Sequence, residues 1–361
     1  MTYYIVRLRF LTPVHFGSDE AGIGVENVQP LLHSDTIFSA LCNAWAKFGI
    51  LTAKELQELK QSFDTSPPFK LSSAFPYRPK GAGTEFYLPK PVMSTKQFEI
   101  FGNEMRPEQK TEWKKWLKKT HFISSGYFEK WLKDEQFIQE GWIDELKAWK
   151  EIMVEEIRPQ HAQDRLTMAS QLYYLGEIFF EQEQDYDCGL YFMVQFPMDE
   201  IWKDKLSKGL KALSDLGLGG ERHFGMGRFK CDDNEYGTLV PIDEHPPLHF
   251  LTESTIHSNH YCVLSLFYPT VTEQKMIQKN VSSVAYGLVQ RKGWVFSSTT
   301  LLQMKRKTVN MFSEGSVFSI PGFTPQGTII DVKPNGFPHP VWRFGMALSV
   351  PLIESQDSRS I

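Results

Sequence analysis

The sequence has few cysteines, no long apolar run and no surplus of positive charge, and each shortage closes off a class of protein. Its four cysteines, Cys42, Cys188, Cys231 and Cys262, lie far apart and form no C-x-x-C pair. Zinc-ribbon and thioredoxin-type chemistry are therefore unsupported, and nothing suggests a secreted disulfide framework. Three of the four sit in apolar segments and read as core thiols. No apolar stretch approaches the length that spans a bilayer. In the opening segment, Arg7 and Arg9 interrupt what a signal peptide needs as a continuous hydrophobic stretch. The expected compartment is the cytoplasm, with no membrane contact. H-E-x-x-H, calcium-loop and spaced-carboxylate patterns are missing, so no metal or other cofactor is expected. Lys and Arg number 39 against 43 Asp and Glu, a net charge of −4. Free-standing nucleic-acid binders are usually basic. Any nucleic-acid contact is therefore a local patch, or the charge is shared across an assembly.

Aromatic residues, by contrast, are plentiful at 14% of the chain, enough for large cores, for stacking surfaces, or for both. A length of 361 residues predicts one to three domains. Alternation over residues 3–11 predicts a half-buried strand, with Ile5, Arg7 and Arg9 on one face and Val6, Leu8 and Phe10 on the other. Ser34-Asp35-Thr36 reads as a helix start, Ser34 capping and Asp35 matching the positive dipole end, before the apolar stripe Phe38, Leu41, Cys42 and Trp45. A short helix is expected over 53–62. Prolines exclude long helices from 63–100, where Phe86-Tyr87-Leu88 fits a short strand.

Residues 104–158 hold Trp113, Trp116, Trp131, Trp142 and Trp149 among many Lys and Glu, and predict two or three amphipathic helices. The five lysines between Lys110 and Lys119 read as a solvated helix face. Residues 160–180 predict a hairpin arm, 188–196 a strand and 199–216 an amphipathic helix. Asp243 to Pro247 looks like a linker. Alternating strands are expected beyond it at Tyr261–Tyr268, Gly293–Ser297, Ser316–Ile320, Gly327–Val332 and Trp342–Val350. The polar tail Ser355–Ser360 is expected to fray.

The densest signal follows the 199–216 helix. From Gly217 to Phe229, thirteen residues hold five glycines (Gly217, Gly219, Gly220, Gly225, Gly227) and two arginines, Arg222 and Arg228. The pattern is neither the dinucleotide fingerprint nor a phosphate loop ending in G-K-[ST]. Glycine permits positive φ and close backbone approach. Arginine pairs with phosphate and stacks on bases. Either the segment is a helix cap running into a glycine-rich turn, or it is an exposed backbone that meets an anionic polymer, RNA fitting best.

Element order in the first half (strand, helix, insertion, strand, helix, glycine loop, strand) fits a ferredoxin-like β-α-β-β-α-β domain, also the plan of RRM-type RNA binders. Three groups of residues together resemble the RAMP superfamily of CRISPR proteins. They are His15-Phe16-Gly17 with Ser34–Leu41, then Gly217–Gly227, then the C-terminal set Gly293-Trp294-Val295, Lys305–Val309, Glu314–Phe318 and His339–Gly345. Most similar are the Cas5-like members that form the fourth subunit of type III-A effector complexes.

The resemblance implies an α+β fold of two tandem ferredoxin-like (RRM-like) domains, 1–240 and 241–361, with a large helical insertion at about 80–180. It also implies a non-catalytic RNA-binding subunit that caps the 5′ handle of the CRISPR RNA. The implied partners are that RNA, the large polymerase and nuclease subunit, and the adjoining backbone RAMP subunit. The implied RNA-contacting residues are His15, Gly17 and Ser34; His161, Asp164 and Arg165 on a thumb-like arm; the five loop glycines with Arg222, His223, Phe224 and Arg228; and Lys305, Arg306 and Lys307.

Single residues keep alternatives. His15 is either a general acid or base with Tyr3, Tyr4 or His33 in a metal-independent CRISPR RNA endoribonuclease, or a loop histidine that bonds a turn or the guide backbone. Ser34 and Asp35 are caps, or the start of a helix aimed at phosphate. Asp164-Arg165 is a local turn pair or a contact to RNA or a neighbouring subunit. Lys305-Arg306-Lys307 is a solvated strand edge or a phosphate track. A protein-interaction scaffold built on the Trp-rich insertion is the remaining reading.

Overall fold

The computed structural model of the chain describes residues 1–17, 24–92, 107–133, 144, 147–164, 166–183, 186–197, 200–252, 258–297, 300 and 302–352. Arg165, Trp142 and the tail Ser355–Ser360 lie outside them. No helix among the described residues is long and apolar enough to cross a membrane.

The first half runs β1 (Thr2–Leu8), α1 (Ser34–Lys47), α2 (Ala53–Thr65), β2 (Lys70–Leu71), β3 (Phe75–Lys80), β4 (Gly83–Pro89), α3 (Pro107–Lys119), β5 (Phe122–Ser124) and α4 (Ser125–Leu132). It continues with the arm β6 (Met153–Gln163) and β7 (Ser170–Phe180), the small ladder β8 (Gln182–Glu183) and β9 (Tyr186–Asp187), then β10 (Gly189–Phe196), α5 (Glu200–Leu216) and β11 (Val240–Pro241). One seven-stranded sheet has the order β11-β1-β10-β3-β4-β5, with β2 also on β10. β1 pairs antiparallel with β10 from Thr2↔Phe196 to Leu8↔Leu190. Ile5 and Val6 are both fully buried, so β1 is covered on both faces rather than half-exposed. On the second face, Arg7 pairs with Glu235 and its guanidinium lies 5.1 Å from the centre of the Tyr236 ring.

The apolar stripe of α1 buries Phe38, Leu41 and Trp45 as its spacing requires, and the Trp45 indole donates to the Lys205 carbonyl of α5 at 2.9 Å. A reciprocal Thr52–Glu55 capping box starts α2.

The second half runs β12 (His260–Val263), α6 (Val271–Lys279), β13 (Val284–Ala285), β14 (Leu288–Arg291), β15 (Val309–Phe312), β16 (Val317–Ser319), β17 (Gly327–Asp331), β18 (Trp342–Met346) and β19 (Ser349–Pro351). A four-stranded sheet has the order β13-β16-β12-β19, and β14–β15 and β17–β18 form separate two-stranded ladders. The β17–β18 hairpin packs on α2 and α1. Phe344 sits 4.8 Å from Phe38, centre to centre, and a single apolar cluster runs through both halves of the chain.

Several expected elements differ. Residues 243–247 are not a free linker. They wind into two short 3-10 turns that bury Ile242, Leu248, Phe250 and Leu251. Gly293–Ser297 is no strand, because Gly293 adopts φ 117° and only the Trp294↔Lys305 bridge forms. Arg228–Lys230 makes one bridge, Phe10↔Phe229, between the turn at Gly227 and the Asp232 turn. The run Tyr261–Tyr268 leaves the sheet after Val263, because Leu266 N–H is taken by the Ser34 hydroxyl. Trp342–Val350 is split into β18 and β19 by Ala347 and Leu348. The arm begins at Met153, not near 160.

Candidate nucleic-acid interface

α5 ends at Gly217, whose φ of 80° turns the chain back and whose N–H donates to the Leu213 carbonyl at 2.8 Å. The loop then ties itself to the segment that follows β1. Leu218 N–H donates to the Gly227 carbonyl at 2.9 Å, Gly227 N–H to Pro13 at 2.8 Å, and Gly220 N–H to His15 at 2.8 Å. A Cβ on Gly219 would stand 2.7 Å from the His15 carbonyl oxygen, and one on Gly227 would stand 2.0 Å from that of Leu218. The loop is therefore a packed turn rather than an exposed, flexible backbone. Gly217, Gly219, Gly220 and Gly227 are needed for close approach within the chain, and the amides named here are already engaged. Around Gly225, which also has positive φ, the space is open.

The packed turn projects its side chains outward. Arg222, His223 and Phe224 form one 3-10 turn between Glu221 (φ 50°) and Gly225 (φ 81°). Phe224 is 64% exposed, and the His223 ring lies 4.1 Å from it, centre to centre. The Arg222 guanidinium reaches the second half of the chain, 4.8 Å from the Phe296 ring centre, and burial lowers its pKa. Phe296 and Trp294 are 58% and 59% exposed. The Lys305 ammonium lies 5.5 Å from the Trp294 ring. Two segments far apart in sequence thus form one aromatic and cationic ridge. Arg228, half exposed, contacts Asp215 at 3.4 Å. Trp294 belongs to a motif the sequence singled out, whereas Phe296 carried no signal.

His15 is buried, and its Nδ1 donates to the Gly176 carbonyl of β7 at 2.9 Å. This bond and the Val14↔Ile178 bridge fix the base of the arm beside the glycine loop. Gly17 packs near the His15 ring. The side chains offered as its catalytic companions bond elsewhere: Tyr3 to Gln195, Tyr4 to Lys203 and His33 to Glu314. An acid–base constellation around His15 is not assembled.

At the far end of the arm, His161 is exposed and pairs across from Leu172. Asp164 is a turn builder. Its carboxylate accepts from the N–H groups of Thr167 at 3.0 Å and Leu166 at 2.7 Å, and those bonds hold its pKa below the usual range. Along the strand, the arm's end stands roughly 20 Å from the Gly176 anchor, at about 3.3 Å per residue.

Ser34 and Asp35 are both buried, and their side chains bond within the chain. His33 occupies the N-cap position of α1 and makes no side-chain cap bond. The buried Ser34 hydroxyl instead accepts from Leu266 N–H at 3.1 Å. Asp35 is buried between two arginines of the second half. Arg291 grips it through Nε and one terminal nitrogen, each at 2.9 Å, and Arg343 donates to Oδ2. Burial, then the neighbouring Arg343 charge, brings the Arg291 pKa down to about 9. Beside them His33 pairs with Glu314 at 2.8 Å, and the Ser73 hydroxyl donates to the same carboxylate.

The Lys305–Lys307 run also divides. Lys305 and Lys307 are exposed, but Arg306 lines a cavity between the two halves of the chain. A continuous three-residue phosphate track is therefore corrected to two exposed lysines flanking an inward arginine.

Among the described residues, no group of three His, Cys, Asp or Glu side chains is placed to hold a metal ion. The four cysteines are free thiols. Burial raises the pKa of Cys188 to about 11 and pushes Cys42 and Cys262 further up, so none of the three is an activated thiol.

Residues 7–230 match the model of the RAMP superfamily, and residues 257–352 match that of the CRISPR Csm4 C-terminal domain. The CRISPR system Cms protein Csm4 of Streptococcus thermophilus is 26% identical over 354 residues, covering 96% of this chain and 98% of that relative. Its namesake from Thermococcus onnurineus (strain NA1) is 25% identical over 284 residues, covering 79% and 80%. A solved Csm1-Csm4 cassette in complex with cA4 is similar in fold, with a TM-score of 0.56 at 18% identity over 98% of this chain and 99% of that one. The chain belongs to the RAMP superfamily, as a member of the Csm4 type.

Proposed function

We propose that this chain is the non-catalytic, RNA-binding Csm4-type subunit of a type III-A CRISPR interference complex, working in the cytoplasm. It grips the 5′ handle of the CRISPR RNA, docks the large polymerase and nuclease subunit, and adjoins a backbone RAMP subunit. The relatives' names and the Csm1-Csm4 cassette support the assembly part of this reading.

The strand orders support an architecture of two tandem ferredoxin-like units. Strand orders β11-β1-β10-β3 and β19-β12-β16-β13 both follow the 4-1-3-2 order of a β-α-β-β-α-β sheet. The first unit covers residues 1–240, with the α3–α4 helices and the arm inserted at about 80–180. The second covers 241–361 and carries the β17–β18 hairpin where a second helix would stand.

One observation carries the RNA reading: the exposed ridge from Phe224, His223 and Arg222 through Phe296 and Trp294 to Lys305. Splayed bases stack on aromatic faces for roughly 1–3 kcal/mol each, while guanidinium and ammonium groups follow the phosphates. A local ridge of this kind needs no basic chain overall.

The test is retention of handle-bearing RNA by the reconstituted complex containing Arg222→Glu with Phe224→Ala. A loss of at least about tenfold, roughly 1.4 kcal/mol, with a shallower salt dependence, is expected. Retention and salt slope equal to wild type would remove the ridge from the RNA path.

A further inference from the structure

A cavity of about 350 Å³ opens between α1 and α2 on one side and the segments around Phe296, Arg306 and His339 on the other. It is a composite of both halves of the chain. Its size lies at the lower end of the range for small-molecule sites, roughly 300–1,000 Å³, and its walls are mainly apolar with a few polar groups, as such sites require.

The charge in and behind this cavity is unbalanced. Arg291 and Arg343 already share the Asp35 carboxylate, and the other buried anion beside them, Glu314, is paired with His33. Arg306 is a third guanidinium near the Asp35 carboxylate, and its Nε is buried with no partner among the described residues. Burial, then the Arg343 charge, pushes its pKa down to about 10. A largely buried cation that shares one carboxylate with two others is poorly compensated, and a guanidinium fork matches a phosphate through paired hydrogen bonds.

The remaining walls suit a flat organic body. Phe296 offers an aromatic face, and the Trp342 indole is held by its bond to the Leu56 carbonyl at 2.7 Å. The Asn43 amide donates to the Ser39 carbonyl at 2.8 Å, which leaves its oxygen as an acceptor on the wall. The His339 ring is fixed, with Nδ1 bonded to the Pro340 carbonyl and Nε2 to the Ser297 hydroxyl, each at 2.8 Å.

We propose that this cavity binds a nucleoside monophosphate, its phosphate on Arg306 and its base against Phe296 and Trp342. Such a nucleotide arrives either free in solution or as the phosphorylated end of a strand. The site shares Phe296 with the RNA ridge but takes its phosphate on Arg306, which is not part of that ridge, and the experiment addresses it separately through Arg306 and Ala46.

The full chain is titrated with AMP, GMP, CMP and UMP, with adenosine and inorganic phosphate as controls, by calorimetry and tryptophan fluorescence. At least one monophosphate is expected to bind saturably, about tenfold or more tighter than either control. Arg306→Gln is expected to weaken that binding at least about tenfold. Ala46→Phe, which fills the cavity from α1 without touching its charge, is expected to abolish it. Competition by a short 5′-phosphorylated RNA assigns the site to a strand end, and lack of competition assigns it to the free nucleotide. Absence of saturable binding by all four monophosphates, or binding that neither variant weakens, overturns the proposal.

Discussion

At the scale of single residues, the buried His33–Glu314 pair makes a claim about pH. Burial alone would lower the pKa of His33. The charge and hydrogen bond of Glu314 outweigh that effect, and the net shift is upward from 6.5. For Glu314, burial pushes upward, but the His33 charge and bond together with the Ser73 hydroxyl bring the net shift below 4.5. A raised histidine contributes stability that is complete below its unfolded pKa of 6.5 and is lost as pH rises through its folded value. A lowered carboxylate contributes stability present above 4.5 and lost as pH falls through its folded value. The pair is therefore at full strength between those limits. Urea midpoints should fall as pH rises above 6.5 in the wild type, and His33→Gln should flatten that fall. An identical slope in the variant would show that His33 is not the titrating group.

At the scale of elements, the arm is the informative case. Its ladder runs unbroken from Met153↔Phe180 to Gln163↔Ser170. Only its lower end is buried, at Leu175 and at Ile178, the latter within the main apolar cluster, whereas Ile157, Leu172 and Tyr174 are exposed. A lone hairpin in water is marginal, so the arm depends on that anchored end. Leu172→Ser and Tyr174→Ser should leave stability within about 0.5 kcal/mol of wild type. Ile178→Ala should cost about 2–5 kcal/mol. Denaturant unfolding separates the two expectations, and equal costs at both ends would contradict the division.

The arm also shows where sequence patterns stop being readable. In α1 and α5 the apolar period and the buried face coincide, because each contributes a regular stripe to the first core, whereas β1 and β10 were legible as strands but are covered on both faces. β6 has little such stripe and contains Pro159, so its start was not legible. The strands of the second half are two to five residues long, too short for alternation to set their ends. In the glycine loop, composition identified the turn, but the partners of its amides, Pro13 and His15, lie some two hundred residues earlier.

At the scale of the whole molecule, the two halves are joined around the start of α1. The sequence assigned Asp35 to the helix dipole because its local context fits that role. Its actual partners, Arg291 and Arg343, are 256 and 308 positions away, a distance across which no local pattern carries information. The arrangement concentrates charge where the cores meet. Phe38, Phe63, Phe69 and Phe344 pack together while, alongside them, one carboxylate holds two guanidinium groups apart. Removing that carboxylate leaves like charges facing each other in a site with little water. Asp35→Asn keeps the volume and polarity but not the charge, so it isolates the electrostatic part. It should lower the unfolding free energy by about 3–5 kcal/mol, the cost of stripping one partner from a buried ion pair. The loss should persist in high salt, because screening acts weakly on buried charge. A loss below about 1 kcal/mol, in the range of exposed ion pairs, would mean that solvent reaches the arginines and that apolar packing alone joins the halves.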